Sequence, residues 1–387
     1  MDIQDTYSLL NVGKIIAGSN SIATIGNVVA DYEADTVLII TDQGVWNAGL
    51  IEKPKSILEA TGIKVIVIND TPPEPSVEQV KAIVHKAKSA ECQMVIGIGG
   101  GSAMDVAKIV AVMLTNDIEL TELLKAAKLS NKGIPTLLIP TTAGTGAEVT
   151  PNAIVLVPEQ ELKIGIVSEK MMADRVILDP LMTVNLPPAI TASTGMDALA
   201  HAIECYISHK ANPFSDSFAL KAIQLIYRSL RKAYHDGYDL EARHDMLLGA
   251  TFGGICIATS STTAVHALAY PLGGKYRIAH GLSNAILLPH VMKFNLDCCE
   301  EKFRDIAVAM GVDVAGLSAK IAAERMIDNL YALIEDLNIQ CNLREKGITD
   351  NDVDQMVEAA LKVTRLLANN PKPMTAADIR QIYQKLL

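Results

Sequence analysis

Residues 94–108 read MVIGIGGGSAMDVAK. The run MVIGI (94–98) is apolar and of strand length. Four glycines between positions 97 and 101 let the backbone turn sharply and approach a ligand closely. A helical period follows, and Ser102 is placed to N-cap it. The N-terminus of such a helix, with free N–H groups and the positive dipole end, is a seat for a pyrophosphate. The spacing is not a strict GxGxxG, because Ser102 stands at the third glycine, and no GK[ST] follows as in a Walker A loop. A plain connecting turn between a strand and a helix fits the same residues.

Working outward, TVLIIT (36–41), KVIVI (64–68) and TLLIP (136–140) are further strand-length apolar runs bounded by Gly, Pro, Asp or Asn. Helix-period segments lie near 50–60, 76–90 and 102–114. Continuous apolar strands alternating with helices predict a parallel sheet covered on both faces, in a Rossmann-like α/β domain. AIVLV (153–157) and KIGIV (163–167) read as an extra hairpin. The rhythm changes at DPLMTVNLPP (179–188), and from about Ile190 nearly every segment follows the 3.6-residue period. The expected architecture is an α/β dinucleotide-binding domain over 1–187 and an all-α domain over 188–387.

Composition narrows the function. The chain has 387 residues and 49% apolar content, which excludes a disordered or fibrous protein. Its net charge is −10 with no dense Lys/Arg stripe, so neither nucleic acid nor an anionic membrane is an expected partner. No apolar run approaches the roughly 18 residues of a membrane span. MDIQDTYSLL at the N-terminus lacks the basic and apolar regions of a secretory signal. The six cysteines show no CxxC and no framework spacing, which reads as reduced, cytoplasmic usage.

Several residues could carry chemistry. PTTAGTGAEVT (140–150) puts the hydroxyls of Thr141, Thr142 and Thr145 at a strand's carboxyl end, where open α/β sheets bind ligands. Asp42, just after TVLIIT, could hold a ribose 2′-OH and favour NAD over NADP, or simply cap a helix. In GMDALAHAIE (195–204), Asp197 and His201 are four residues apart on one helical face, as a metal-sharing pair would be. A hydrogen-bonded Asp–His pair has the same spacing, but apolar neighbours bury this helix, and buried polar pairs need partners. His266 and His280 flank a Gly-Gly turn that could bring them together. One carboxylate and three imidazoles suit Fe(II), Zn or Mn rather than Mg or Ca. His85, His209, His235 and His244 read as solvent-exposed, and His290 as structural.

Taken together, these motifs and their order resemble the iron-containing (group III) alcohol dehydrogenases. GGGSAMDVAK is similar to that family's GGGSxxDxAK signature, PTTAGTGAEVT to its threonine-rich nucleotide loop, and GMDALAHAIE and HALAYPLGGKYRIAHG to its two metal segments. The resemblance implies metal ligation by Asp197, His201, His266 and His280. It implies dinucleotide contacts at Asp42, Gly100, Gly101, Ser102, Thr141, Thr142 and Thr145, with Asp105 and Lys163 near the cofactor. It also implies a site in the cleft between the domains, NAD(H) and Fe(II) as cofactors with Zn an alternative, and a homodimer or larger homo-oligomer. The reaction implied is hydride transfer between the nicotinamide and a small alcohol or aldehyde polarised by the metal.

One position departs from the family pattern. Many members carry a second histidine in HxxxHPLG, where this chain has Tyr270 in HALAYPLG. A phenol with an ordinary pKa of about 10 then stands where proton transfer is expected. Arg277, three residues before His280, could bind an anionic substrate through its planar fork, or lie on the surface. The rivals are a polyol dehydrogenase or dehydroquinate-synthase-like lyase on a related scaffold, and a non-catalytic nucleotide- or metal-binding subunit. The ligand set argues against the lyase, and the intact loops against the subunit.

Overall fold

The central apolar runs of the first half become strands buried on both faces, leaving no reason for polar alternation, while the edge run KVIVI (64–68) is mostly half-buried. The structure, a computed structural model, describes residues 6–125, 128–158 and 162–387. Its strands are β1 (Lys14–Ala17), β2 (Thr36–Ile40), β3 (Lys64–Ile68), β4 (Met94–Gly99), β5 (Thr136–Pro140), β6 (Asn152–Val157), β7 (Leu162–Val167) and β8 (Arg175–Leu178). Six form a parallel sheet in the order β1-β8-β5-β4-β2-β3, and β6 and β7 pair as a separate antiparallel hairpin. The register sets Leu38 against Val95 and Ile96 against Leu137. The strands β4 and β5 are buried throughout.

Strand order reverses between β2 and β4, because β3 lies outside β2 while β4 lies on its other side. Loops diverge at such a switch point and open a crevice at the strands' carboxyl ends. Asp42 follows β2, the glycine turn follows β4, and the threonine loop follows β5.

The helix Gly101–Met113 packs under this crevice and is buried around nearly its whole circumference. Within it, Lys108 is fully buried and its Nζ is saturated. It meets Asp105 Oδ1 at 2.9 Å and the Ala147 carbonyl at 2.9 Å, with further contacts to Thr150 and the Asn152 carbonyl. Asp105 Oδ2 in turn accepts the Ile154 N–H at 2.9 Å. The pair therefore pins the threonine loop and the start of β6 to the helix. Asp105, expected near the cofactor, is spent inside the fold on this fastening.

By compactness the chain divides into Leu10–Leu186 and a second unit of Pro187–Leu387 together with the first nine residues. The described residues of that N-terminal segment, expected in the α/β domain, thus group with the helices. Tyr7 packs edge-on against Phe214 with ring centroids 5.6 Å apart. The principal helices of the second unit are Pro188–Ile207, Pro213–His235, Leu240–Thr259, Ala264–Tyr276, His280–Ala309 and Ala319–Asp336. Pro188 opens the first at a position where its missing N–H is not needed. Among the described residues no single helix is long and apolar enough to cross a membrane.

The fastening is testable by Lys108→Met, which strands the buried Asp105 carboxylate without its cation. The expected loss is about 3 kcal/mol, typical of breaking one side of a buried ion pair, read from the denaturant midpoint. Adding Asp105→Asn to the same chain should recover part of it.

Candidate functional site

At the crevice, glycine is required by space. A Cβ on Gly99 would lie 2.6 Å from the Ala103 Cβ and 3.1 Å from Asp42 Oδ2. A Cβ on Gly101 would lie 2.9 Å from Thr145 Cγ2, whereas one on Gly100 would make only an ordinary contact with Thr142 Oγ1, at 3.5 Å. The ends of β2, β4 and β5 are thus gathered so that Asp42, the glycines, Thr142 and Thr145 share one neighbourhood. Thr141 is buried and its N–H donates to the Gly99 carbonyl at 3.0 Å.

One cap differs from the sequence expectation, and two other positions gain named partners. Gly100, not Ser102, is the N-cap of the Gly101–Met113 helix. The helix starts two residues earlier than a cap at Ser102 would set it, and Ser102 Oγ accepts the Glu74 N–H at 3.1 Å. Asp42 caps the short helix Gln43–Asn47 by accepting the Val45 N–H at 2.9 Å through Oδ1, which leaves Oδ2 on the side of Gly99. Lys163 is bound to Glu74 at 2.5 Å, from the β7 side of the same neighbourhood.

In the helical unit, the Pro188–Ile207 helix presents Asp197 and His201 on one face. His266 lies in the first turn of Ala264–Tyr276, and His280 is the first residue of His280–Ala309. Gly281 makes the approach of that last helix possible: a Cβ there would lie 2.4 Å from the Ser193 carbonyl oxygen and 3.4 Å from the Asp197 Cβ. One ligand atom from each of Asp197, His201, His266 and His280 falls within 4.8 Å of all the others. Asp197 Oδ1 is 3.9 Å from His201 Nε2 and 3.8 Å from Nε2 of both His266 and His280. Tetrahedral ligands about 2.1 Å from one ion sit about 3.4 Å apart, so this cluster needs little contraction to close on a metal.

Two further observations fit a cation. Asn284, one turn after His280, places its Nδ2 at 2.6 Å from Asp197 Oδ1, 3.1 Å from His266 Nε2 and 3.2 Å from His280 Nε2. The amide donates to Asp197 Oδ1 and lies within hydrogen-bond reach of two imidazole nitrogens, so three potential metal-ligating atoms converge on one point. Glu204, fully buried one turn beyond His201, contacts His266 Nδ1. Among the described residues the ion-pair partners of Asp197 and Glu204 are all histidines. Metal ligation takes the neutral form of each imidazole, and a divalent ion would then balance the charge of the two buried carboxylates. Burial alone would raise the Asp197 pKa, but the three histidines and Asn284 hold it below the usual carboxylate range. Burial would likewise lower that of His266, but the Glu204 charge and hydrogen bond, with Asp197, raise it.

His280 has 29% side-chain exposure, whereas His201 and His266 are buried, so the cluster opens on the His280 side. Tyr270, one turn after His266, has its ring centroid 6.3 Å from that of His280. Burial raises its pKa against the pull of Arg365, and Glu204 and Asp197 raise it further. Arg277 caps the C-terminus of its helix with φ at 54° and is exposed. His85, His209 and His235 are exposed and His244 is half-buried. His290 meets Tyr331 at 3.3 Å, and burial, with nearby lysines, lowers its pKa to about 4.

A dinucleotide crevice in one unit and a four-ligand cluster in the other define a metal- and nucleotide-dependent oxidoreductase. The profile of the iron-containing alcohol dehydrogenases matches residues 13–180, and that of the family's C-terminal part matches residues 191–387. The chain belongs to the iron-containing alcohol dehydrogenase family and is an NAD-linked alcohol dehydrogenase. It is 42% identical to long-chain-alcohol dehydrogenase 1 of Geobacillus thermodenitrificans, over 91% of this chain and 89% of that one. Its fold superposes on a 1,3-propanediol oxidoreductase with TM-score 0.95 at 34% identity, covering 99% and 100% of the two chains. A sulfoacetaldehyde reductase from Bifidobacterium kashiwanohense solved with NAD+ is similar at TM-score 0.88 and 27% identity, covering 98% of each chain.

Asp197→Asn tests the cluster at constant shape. Zinc affinity should fall by more than about 100-fold, beyond the 10- to 100-fold of outer-shell changes. NADH binding, followed by nicotinamide fluorescence, should be unchanged.

Proposed function

We propose that the enzyme interconverts a neutral primary alcohol and its aldehyde, with a divalent ion at Asp197, His201, His266 and His280 and NAD(H) at the carboxyl ends of β2, β4 and β5. The observation that carries this reading is the convergence of the four ligand atoms. When bound, the ion supplies Lewis acidity at the substrate oxygen and the nicotinamide accepts or returns hydride. The chain's own residues do the rest. Asp197 stays ionised and the imidazoles stay oriented, so ligation needs little reorganisation. The glycines admit the pyrophosphate to the N-terminus of Gly101–Met113, and Asp42 Oδ2 faces the ribose side. Tyr270 keeps its hydroxyl proton near neutrality and is placed to pass it on the open side of His280.

A neutral substrate agrees with relatives named for long-chain alcohols and for 1,3-propanediol. The exposed Arg277 offers an anion no enclosed pocket. The free cysteines support a reducing, cytoplasmic setting. Association of two copies is open to the edge strands β1 and β3, whose outer backbone groups have no strand beside them among the described residues.

The deciding experiment is NADH oxidation with a panel of neutral and anionic aldehydes, before and after metal removal. Turnover should vanish on chelation and return with Fe(II) or Zn. No turnover after reloading would sink the reading, and a preference for anionic aldehydes would overturn the neutral assignment. Tyr270→Phe should lower kcat about 100-fold, a typical general acid–base contribution, with metal content unchanged. Full activity would remove Tyr270 from proton transfer.

A further inference from the structure

Glu204 stands outside the ligand set, and its environment is unusually complete. Oε1 accepts the Thr263 N–H at 3.0 Å, the Thr263 hydroxyl at 2.7 Å and the Val265 N–H at 2.8 Å. Oε2 is bound to His266 Nδ1. Thr263 is the N-cap of Ala264–Tyr276 and makes no side-chain cap bond of its own. A carboxylate from the neighbouring helix therefore satisfies the first N–H groups of this one, at the positive end of its dipole. With Oε1 saturated by one short segment, the carboxylate cannot rotate.

We propose that Glu204 is a positioning residue for the metal centre, fixing His266 as the tautomer that carries its proton on Nδ1. An ionised carboxylate only accepts hydrogen bonds, so the nitrogen facing it must donate. In a neutral imidazole the lone pair then lies on Nε2, the atom facing Asp197 Oδ1 at 3.8 Å. Such a partner also raises the basicity of the ligating nitrogen. One side chain thus starts the helix that carries His266 and aims that histidine's lone pair at the other ligands.

Glu204→Gln separates these two effects. The amide oxygen can still accept from Thr263 and Val265, so the cap survives. Its NH2 then faces His266 Nδ1, which becomes an acceptor, and the ring proton moves to Nε2 among the ligand atoms. The expected result is a 10- to 100-fold loss of zinc affinity in chelator competition. The visible ligand-field spectrum of the Co(II)-loaded full chain should shift, with little change in the melting temperature of the metal-free protein. Wild-type zinc affinity with an unchanged Co(II) spectrum would overturn the proposal. So would a lowered melting temperature with affinity and spectrum intact, since that outcome leaves only the cap.

If Glu204→Gln does not fold, Thr263→Val removes the 2.7 Å hydroxyl donor alone. It should still weaken zinc binding about threefold or more by loosening the carboxylate, and unchanged affinity there would overturn the proposal equally. The inference rests on the metal site proposed above. A wild-type chain that binds no zinc would remove that reading, whereas equal affinity in wild type and variant would remove only this one.

Discussion

Two carboxylates buried on one face of the Pro188–Ile207 helix, with only imidazoles as ionic partners among the described residues, impose the central constraint on this protein. Buried charge is tolerated only when it is hydrogen-bonded and balanced. The surrounding helices meet that demand one side chain at a time. Thr263 and Val265 come from a helix start, His266 from its first turn, and His280 and Asn284 from the start of the next helix. The backbone accommodates this traffic through a small residue at the tightest crossing, where Gly281 lies against the Ser193 carbonyl. A larger residue there would push His280 away from Asp197.

The α/β unit solves a different problem by different means. It has to leave backbone N–H groups uncovered at one spot while burying nearly everything else. The reversal of strand order between β2 and β4 creates the spot, and the glycines keep it open. The sole lysine of the Gly101–Met113 helix is spent beneath it, holding the threonine loop in place. Backbone amides and hydroxyls, rather than a basic side chain, face the crevice from these elements.

Much of this was legible in the sequence, for identifiable reasons. Central strands buried on both faces leave unbroken apolar runs, so β2, β4 and β5 stand out. The i, i+4 spacing of Asp197 and His201 speaks for itself on a buried helix. His266 and His280 were visible only as suitable residue types, because a turn and a left-handed Arg277 decide whether they meet. Glu204 went unread although it lies seven residues after Asp197 on the same face, a spacing that was there to be seen. Its partners at 263 and 265 are mostly backbone groups, which no sequence pattern displays. The cap was misplaced by two positions, at Ser102 instead of Gly100, because a glycine can begin a helix without a capping side chain. The N-terminal residues side with the helices through contacts far apart in the chain, among them the ring pair Tyr7 and Phe214.

The Asp105–Lys108 fastening also bears on how a signature should be interpreted. GGGSAMDVAK mixes two kinds of information in ten letters. Its glycines keep the turn clear of its own neighbours, since a Cβ on Gly99 or Gly101 would press on Ala103 or Thr145, at the helix start where a pyrophosphate would sit. Its aspartate and lysine speak of architecture, since they are consumed in joining a helix to a loop and a strand. A distant homologue could discard the nucleotide and still need the second pair to fold. The acidic and basic letters therefore report the joining of helix, loop and strand, and the glycines report how closely the turn packs at the start of that helix.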